Sequence, residues 1–249
     1  MNGVGSNTVT ETLLRVHGLR KSFGPVPALR GAAFAIRSGE LLGLIGPNGA
    51  GKTTLLECLA GVQAFDAGEI VLPAGGAARV RLTALLFYMP DGIAPWPDQP
   101  VGWALDYALG FFGGQRALLP EVIRELSLRP LLGTRISALS KGQRKRALIG
   151  LALLMPQRVL LIDEPFEGLD LRQSREVAAV LRTHVSRGRT VVVSIHQIAD
   201  AARVCDRFVL LNNGGVVAEG TLNQLTSLAA SRLGGVPCGD FEEVFLALT

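Results

Sequence analysis

Only three cysteines occur in 249 residues, Cys58, Cys205 and Cys238, and no two of them stand in a CxxC spacing. That argues against a disulfide framework and a zinc site, and it fits a reducing cytosolic setting. Long apolar runs are missing as well. A spanning helix needs roughly 18 uncharged apolar residues in a row. The best stretch, ALIGLALLMPQ at 147–157, is shorter and lies between Arg146 and Arg158. The chain is therefore not expected to cross a membrane by itself. Its opening, MNGVGSNTVTETLL, has neither a basic start nor an apolar centre, so no secretory signal is expected there. Charge is sparse: 18% of residues are charged, and the net charge is +4 from 25 basic and 21 acidic residues. The densest basic cluster, Arg144–Lys145–Arg146, is three residues long and reads as a solvated helix face. No nucleic-acid partner is expected. No internal repeat or low-complexity tract occurs.

What is abundant is apolar material. Hydrophobic residues make up 48% of the chain, and the mean hydropathy is +0.34. The length suits one large domain or two small ones. Such hydropathy points to buried parallel strands, which read as continuous apolar runs, or to a surface docked on something apolar.

Residues 1–12 are polar and read as a loose tail. From 13 to 72, LLRVHGL, AAFAIRSG and GEIVL read as antiparallel strands separated by turn residues. Among them lies the apolar strand LLGLI, then a glycine loop, then KTTLLECLAG, a helix with a glycine stop. ALLFYM (84–89), RVLLID (158–163) and TVVVSI (190–195) are three more strand-like runs separated by helical patterns. The fold class expected is α/β, a mostly parallel core sheet with an antiparallel β subdomain and ligands at the carboxyl ends of the strands. The segment 92–157 has no convincing strand but carries PVGWALDYALGFF and LPEVIRELSL, so it reads as an inserted helical subdomain. The expected domain spans 13–225, followed by a C-terminal helical segment over 226–249.

The chemistry begins with GPNGAGKT, Gly46 to Thr53, which fits G-x-x-x-x-G-K-[ST]. Glycines there let backbone N–H groups turn inward around phosphate oxygens, Lys52 reaches the β and γ phosphates, and the Thr53 hydroxyl ligates Mg²⁺. The following helix adds the positive end of its dipole. RVLLIDEP sets Asp163 and Glu164 at the end of a buried strand, where charge is costly unless it has work to do. In a phosphate site Asp163 would hold the metal through water and Glu164 would polarise the attacking water. His196 ends the run TVVVSI, while His17 and His184 lie in ordinary patterns and read as structural. LSKGQRKR places Ser140 and Gly142 at a helix start, either a plain serine cap or a second anion site.

In this order and combination, the motifs resemble those of the ATP-binding cassette (ABC) transporter ATPases, over nearly the whole chain. GPNGAGKTT (Gly46, Pro47, Asn48, Gly49, Ala50, Gly51, Lys52, Thr53, Thr54) is like the Walker A loop of this P-loop NTPase family. LSKGQ (Leu139, Ser140, Lys141, Gly142, Gln143) is like its signature, VLLIDEP is like Walker B, EGLD ending in Asp170 is like the D-loop, and SIHQ is like the switch histidine, His196. Phe23, in LRKSFG, stands where the family stacks an aromatic ring on adenine. The resemblance implies ATP and Mg²⁺ as cofactors. It implies a sandwich in which the signature of a second cassette, identical or not, closes on the nucleotide. It also implies a separate transmembrane permease that holds the chain at the cytoplasmic face of the membrane, with Trp96, Trp103, Phe111 and Phe112 near the docking groove. Three departures stand out. Lys141 replaces a glycine, and EGLD replaces SALD; both are like the export-type (ABC-2-like) subfamily, as is the ending FEEVFLALT. Asp91, in FYMPDG, stands where the family has a glutamine that ligates the metal; an aspartate is a shorter oxygen ligand there, suited to acting through water, and the alternative is that Asp91 caps the turn at the Asp-Gly pair.

Two other readings fit the residues less well. A soluble cassette ATPase acting on ribosomes or DNA usually carries two cassettes or a coiled coil, and neither is present. A P-loop kinase would leave LSKGQ without a purpose.

Overall fold

The computed structural model describes residues 11–72, 78–196, 198–235 and 237–249. Most of the expected tail, and Gln197 of SIHQ, lie outside them.

Two sheets meet at the glycine loop. In the smaller, β1 (Thr12–Phe23) lies between β2 (Val26–Arg37) and β4 (Ala67–Val71), all antiparallel. The larger contains β3 (Leu41–Ile45), β5 (Leu86–Met89), β6 (Val159–Ile162), β7 (Thr190–Ile195), β8 (Arg207–Asn212) and β9 (Gly215–Gly220). Its order is β5-β6-β7-β3-β8-β9; every pairing is parallel except β8 with β9.

The composition of the central strands follows from their position. All residues of β3, β6 and β7 are buried, because the sheet is covered on both faces. Alternate residues serve opposite cores. Leu41, Ile45, Leu160, Ile162, Val191 and Val193 join one cluster with the helices of the 92–157 segment. Leu42, Leu44, Val159, Leu161 and Val192 join the other, with β1, β2 and the helix after the glycine loop.

That helix is α1 (Lys52–Ala60), stopped by left-handed Gly61. Next comes α2 (Ala78–Leu85), which takes the first residues of the expected strand 84–89 and leaves only 86–89 extended. Between β5 and β6 lie α3 (Val101–Phe112), α4 (Leu119–Glu125) and α5 (Lys141–Leu154). Beyond β6 come α6 (Leu171–Ser186) and α7 (Ile198–Val204), then α8 (Leu222–Arg232) and α9 (Phe241–Leu248) after β9. Among the described residues no helix is long and apolar enough to cross a membrane. The three cysteines are free.

The sheets are tied together by Arg207, which is 3% exposed. Its guanidinium donates to both carboxylate oxygens of Glu40 at 2.8 Å, to Glu219 and to the Ala35 carbonyl of β2. A buried charge is tolerated when it is paired and its donors are satisfied.

Candidate functional site

The glycine loop leaves β3 at Ile45 and is shaped by close approaches that only glycine permits. A Cβ on Gly46 would collide with the Leu211 carbonyl oxygen of β8. Gly51 has φ +100, and a Cβ there would lie 2.6 Å from the Ala28 carbonyl oxygen of β2. The same oxygen stands 2.6 Å from where a Cβ on Gly214, in the β8–β9 turn, would be. Lys52 is 6% exposed; its ammonium donates to the Gly46 carbonyl at 2.7 Å and the Pro47 carbonyl at 3.2 Å. Burial holds its pKa below the usual lysine value, against the opposing pull of Glu164 and Asp163. No acidic residue stands in the first turn of α1. A cation over a glycine loop at a helix start is suited to phosphate.

Because β6 and β7 are neighbours, residues just past their ends converge. Asp163, 3% exposed, accepts a hydrogen bond from the Thr53 hydroxyl at 2.8 Å. Its other oxygen accepts from the Ser194 hydroxyl of β7. A hydroxyl and a carboxylate side by side are oxygen donors of the kind Mg²⁺ selects, so these residues fit the expected metal.

Glu164 is held at its N–H, its carbonyl and one carboxylate oxygen. Its backbone is left-handed, φ 50, a conformation uncommon outside glycine and found often at functional sites. Its N–H donates to Ser194 Oγ at 2.9 Å. Its carbonyl accepts from Lys145 Nζ at 2.8 Å. Its carboxylate lies 2.5 Å from His196 Nδ1. Glu164, Ser194 and His196 line a cleft of about 310 Å³ together with Phe166, Gly168, Leu169 and Leu171.

Ser140 caps α5, accepting from the Gln143 N–H at 3.2 Å, while the Gln143 side chain accepts from the Ser140 N–H at 2.9 Å. Asp170 caps α6 in the same reciprocal way with Gln173. Leu139 is buried just before α5. Gly142 faces the Gly168 carbonyl, which a Cβ would meet at 3.0 Å. Phe23 is exposed where β1 turns into β2, with the Lys21 ammonium 5.3 Å from its ring centre.

Two of the family departures turn out to be one contact. The Lys141 ammonium pairs with Glu167 at 2.5 Å, and its stem lies over Gly168, where a Cβ would meet Lys141 carbons at 2.7 Å. Asp91 is placed differently from Thr53 and Asp163: it forms an ion pair with Lys145 at 2.5 Å. Burial opposes its charge, but the hydrogen bond and charge of Lys145 outweigh that and hold its pKa below the usual carboxylate value. Lys145 is 4% exposed, so the cluster Arg144–Lys145–Arg146 is no solvated face: its middle member points inward. Lys145 and Ser194 were not among the expected site residues. One was hidden in a basic triplet, the other in an apolar strand.

The model of the family described as "ABC transporter" matches residues 29–167. The Nod factor export ATP-binding protein I of Ralstonia nicotianae is 32% identical over 231 residues, covering 90% of this chain and 70% of that protein. The sn-glycerol-3-phosphate import ATP-binding protein UgpC 1 of Rhizobium johnstonii is 33% identical over 228 residues, with 88% of this chain covered; the chain spans only 61% of that relative's length. A solved structure described as the ATP binding subunit of an ABC transporter superposes with a TM-score of 0.84 at 28% identity, covering 95% of this chain and 99% of that one. With a phosphate loop, a carboxylate pair and a capped signature helix in this arrangement, the chain belongs to the ABC transporter family, as an ATP-binding cassette of the kind that hydrolyses ATP.

Proposed function

We propose that this chain hydrolyses Mg²⁺-ATP as one of two sandwiched cassettes and energises export through a separate permease at the membrane. The observation that carries the reading is Glu164, fixed by its N–H, carbonyl and carboxylate beside Asp163 and the phosphate loop. Such fixing suits a general base, which must keep its orientation while the attacking water loses a proton. His196 orients the carboxylate. The loop N–H groups, Lys52 and the start of α1 bind the phosphates; Phe23 takes the adenine.

Thr53 and Asp163 would hold Mg²⁺, which when bound neutralises charge on the β and γ phosphates. Asp91 would act on it through water while still bound to Lys145. Ser140, Gly142 and the start of α5 serve the nucleotide of the second cassette. Asp170 stands at the facing edge.

Export is favoured by Lys141 and EGLD, shared with the export-type pattern, and by the relative named for Nod factor export. The docking face for the permease is α3 with its approach: Trp96, Trp103, Tyr107, Phe111 and Phe112 form a continuous run of ring contacts with centroids 4.9–6.0 Å apart. Trp103, Tyr107, Phe111 and Phe112 are exposed, more aromatic surface than a chain without a partner usually shows.

The test is Glu164→Gln. Loss of a general base costs roughly 10²–10⁴-fold in rate. The variant should bind ATP, turn over at that reduced rate, and run as an ATP-dependent dimer on size exclusion. Wild-type turnover in Glu164→Gln would rule Glu164 out as the base.

A further inference from the structure

We propose that Lys145 is a positioning residue of ATP hydrolysis, which, anchored by Asp91, fixes the Glu164 carbonyl so that the signature helix and the catalytic base move as one body. The inference rests on Glu164 being the base.

A buried lysine is an expense the fold does not need. Lys145 sits four residues after Lys141, on the side of α5 that faces the loop following β6. Apolar residues surround this part of α5: Leu139, Ala147 and Leu148 belong to the main core. A methionine or leucine would fill such a position without desolvating a charge. Instead the ammonium makes two short contacts, to Asp91 at 2.5 Å and to the Glu164 carbonyl at 2.8 Å. One is an ion pair that compensates the burial. The other is a charge-assisted hydrogen bond to the backbone of the base itself.

The bond falls where the backbone is strained. Glu164 adopts φ 50; a residue in that region persists only when its surroundings hold it. Ser194 holds the N–H side of the residue from β7, and Lys145 holds the carbonyl side from α5. Lys141, one turn earlier, ties the same loop at Glu167. The first turns of α5 are therefore stapled to the Glu164–Gly168 loop at two points, by lysines on one helix face. The start of α5 is the signature. A shift of that helix is felt at the Glu164 peptide without passing through the nucleotide.

A misplacement of about 1 Å can cost on the order of 10²-fold in rate, so a loosened Glu164 should lose turnover rather than affinity. The experiment compares the full-length wild type with Lys145→Met and Lys145→Arg, each alone and combined with Glu164→Gln, measuring kcat and KM for Mg²⁺-ATP and the melting temperature. Lys145→Met should lose roughly tenfold or more in kcat with KM nearly unchanged. Lys145→Arg, which keeps the charge and the donors, should recover most of it. In the Glu164→Gln background Lys145→Met should cost nothing further, because the lysine acts through that residue. Wild-type kcat in Lys145→Met, an equal loss in Lys145→Arg, or a full additional loss in the Glu164→Gln background would each overturn the inference. Should Lys145→Met fail to fold, Lys145→Arg still decides: a kcat near the Glu164→Gln level at unchanged melting temperature overturns it. If Glu164→Gln itself turns over normally, the failure belongs to the assignment of the base and not to Lys145.

Discussion

The hydroxyl of Ser194 on β7 donates to the carboxylate of Asp163 at the end of neighbouring β6. The same oxygen accepts the Glu164 N–H at 2.9 Å, so one small side chain holds both the residue expected on the metal and the residue expected to activate water. Ser194→Ala removes both bonds and leaves a partly buried N–H unpaired, which costs about 1–3 kcal/mol. Urea unfolding should show that loss, and kcat should drop by more than KM rises. A variant with the stability and turnover of wild type would make the hydroxyl idle.

Ser140 bears on the sandwich. Ser140→Arg should abolish hydrolysis while leaving nucleotide binding to the monomer nearly intact, because its own phosphate loop is untouched. Mixed with Lys52→Ala protein, it should regain activity: some dimers then join an intact phosphate loop from one chain to an intact signature from the other. Loss of monomer binding in Ser140→Arg, measured with a fluorescent nucleotide, would place the signature in cis.

Asp91 separates two duties, an anchor for Lys145 and a reach toward the metal. Asp91→Asn keeps a hydrogen bond to Lys145 and removes the negative charge. The Mg²⁺ concentration giving half-maximal rate should rise in this variant, with ATP binding in the absence of metal unchanged. An unmoved Mg²⁺ curve would leave Asp91 to Lys145 alone.

A pH effect on stability should come from His184. It is 4% exposed, with Glu125 of α4 3.5 Å away and Arg187 and Arg189 nearby. Burial lowers its pKa below the ordinary value of 6.5, the Glu125 charge opposing and the arginines assisting. The folded chain thus binds this proton less readily than the unfolded chain, so the contribution is present above 6.5 and is lost as pH falls through that region. Melting temperature should decline from about pH 8 to about pH 5.5, and less steeply in His184→Gln. Identical slopes would remove His184 from the account.

The parts of the site that were legible in the sequence are those whose chemistry is local. A glycine loop declares itself because the backbone must turn there, and Asp163 and Glu164 declare themselves because a charged pair ends an apolar run. The hairpin of β8 and β9 is not among the expected strands although it carries a turn signal: Asn213 and Gly214 both have positive φ, as a two-residue connection of the mirror-image type requires. The strand expected at 84–89 began two residues late because α2 runs into it, and short apolar runs suit helix and strand alike. Lys145 departs from the expected solvated face for a different reason. A basic triplet on a helix says nothing about which member faces inward, and its partners, Asp91 and the Glu164 carbonyl, are 54 and 19 residues away. Ser194 is likewise a polar atom whose purpose appears only when β6 lies beside it.

The carbonyl of Ala28 touches both Gly51 and Gly214 with no room for a methyl group at either. The sheet that bears Phe23 and the glycine loop expected to grip phosphate are therefore set at one fixed spacing, like the jaws of a gauge. A gauge of this kind measures length. Alanine at Gly51 or Gly214 would force the jaws apart, and the damage should grow with the span of the ligand, sparing pyrophosphate and falling hardest on a molecule that must reach from a base to a third phosphate.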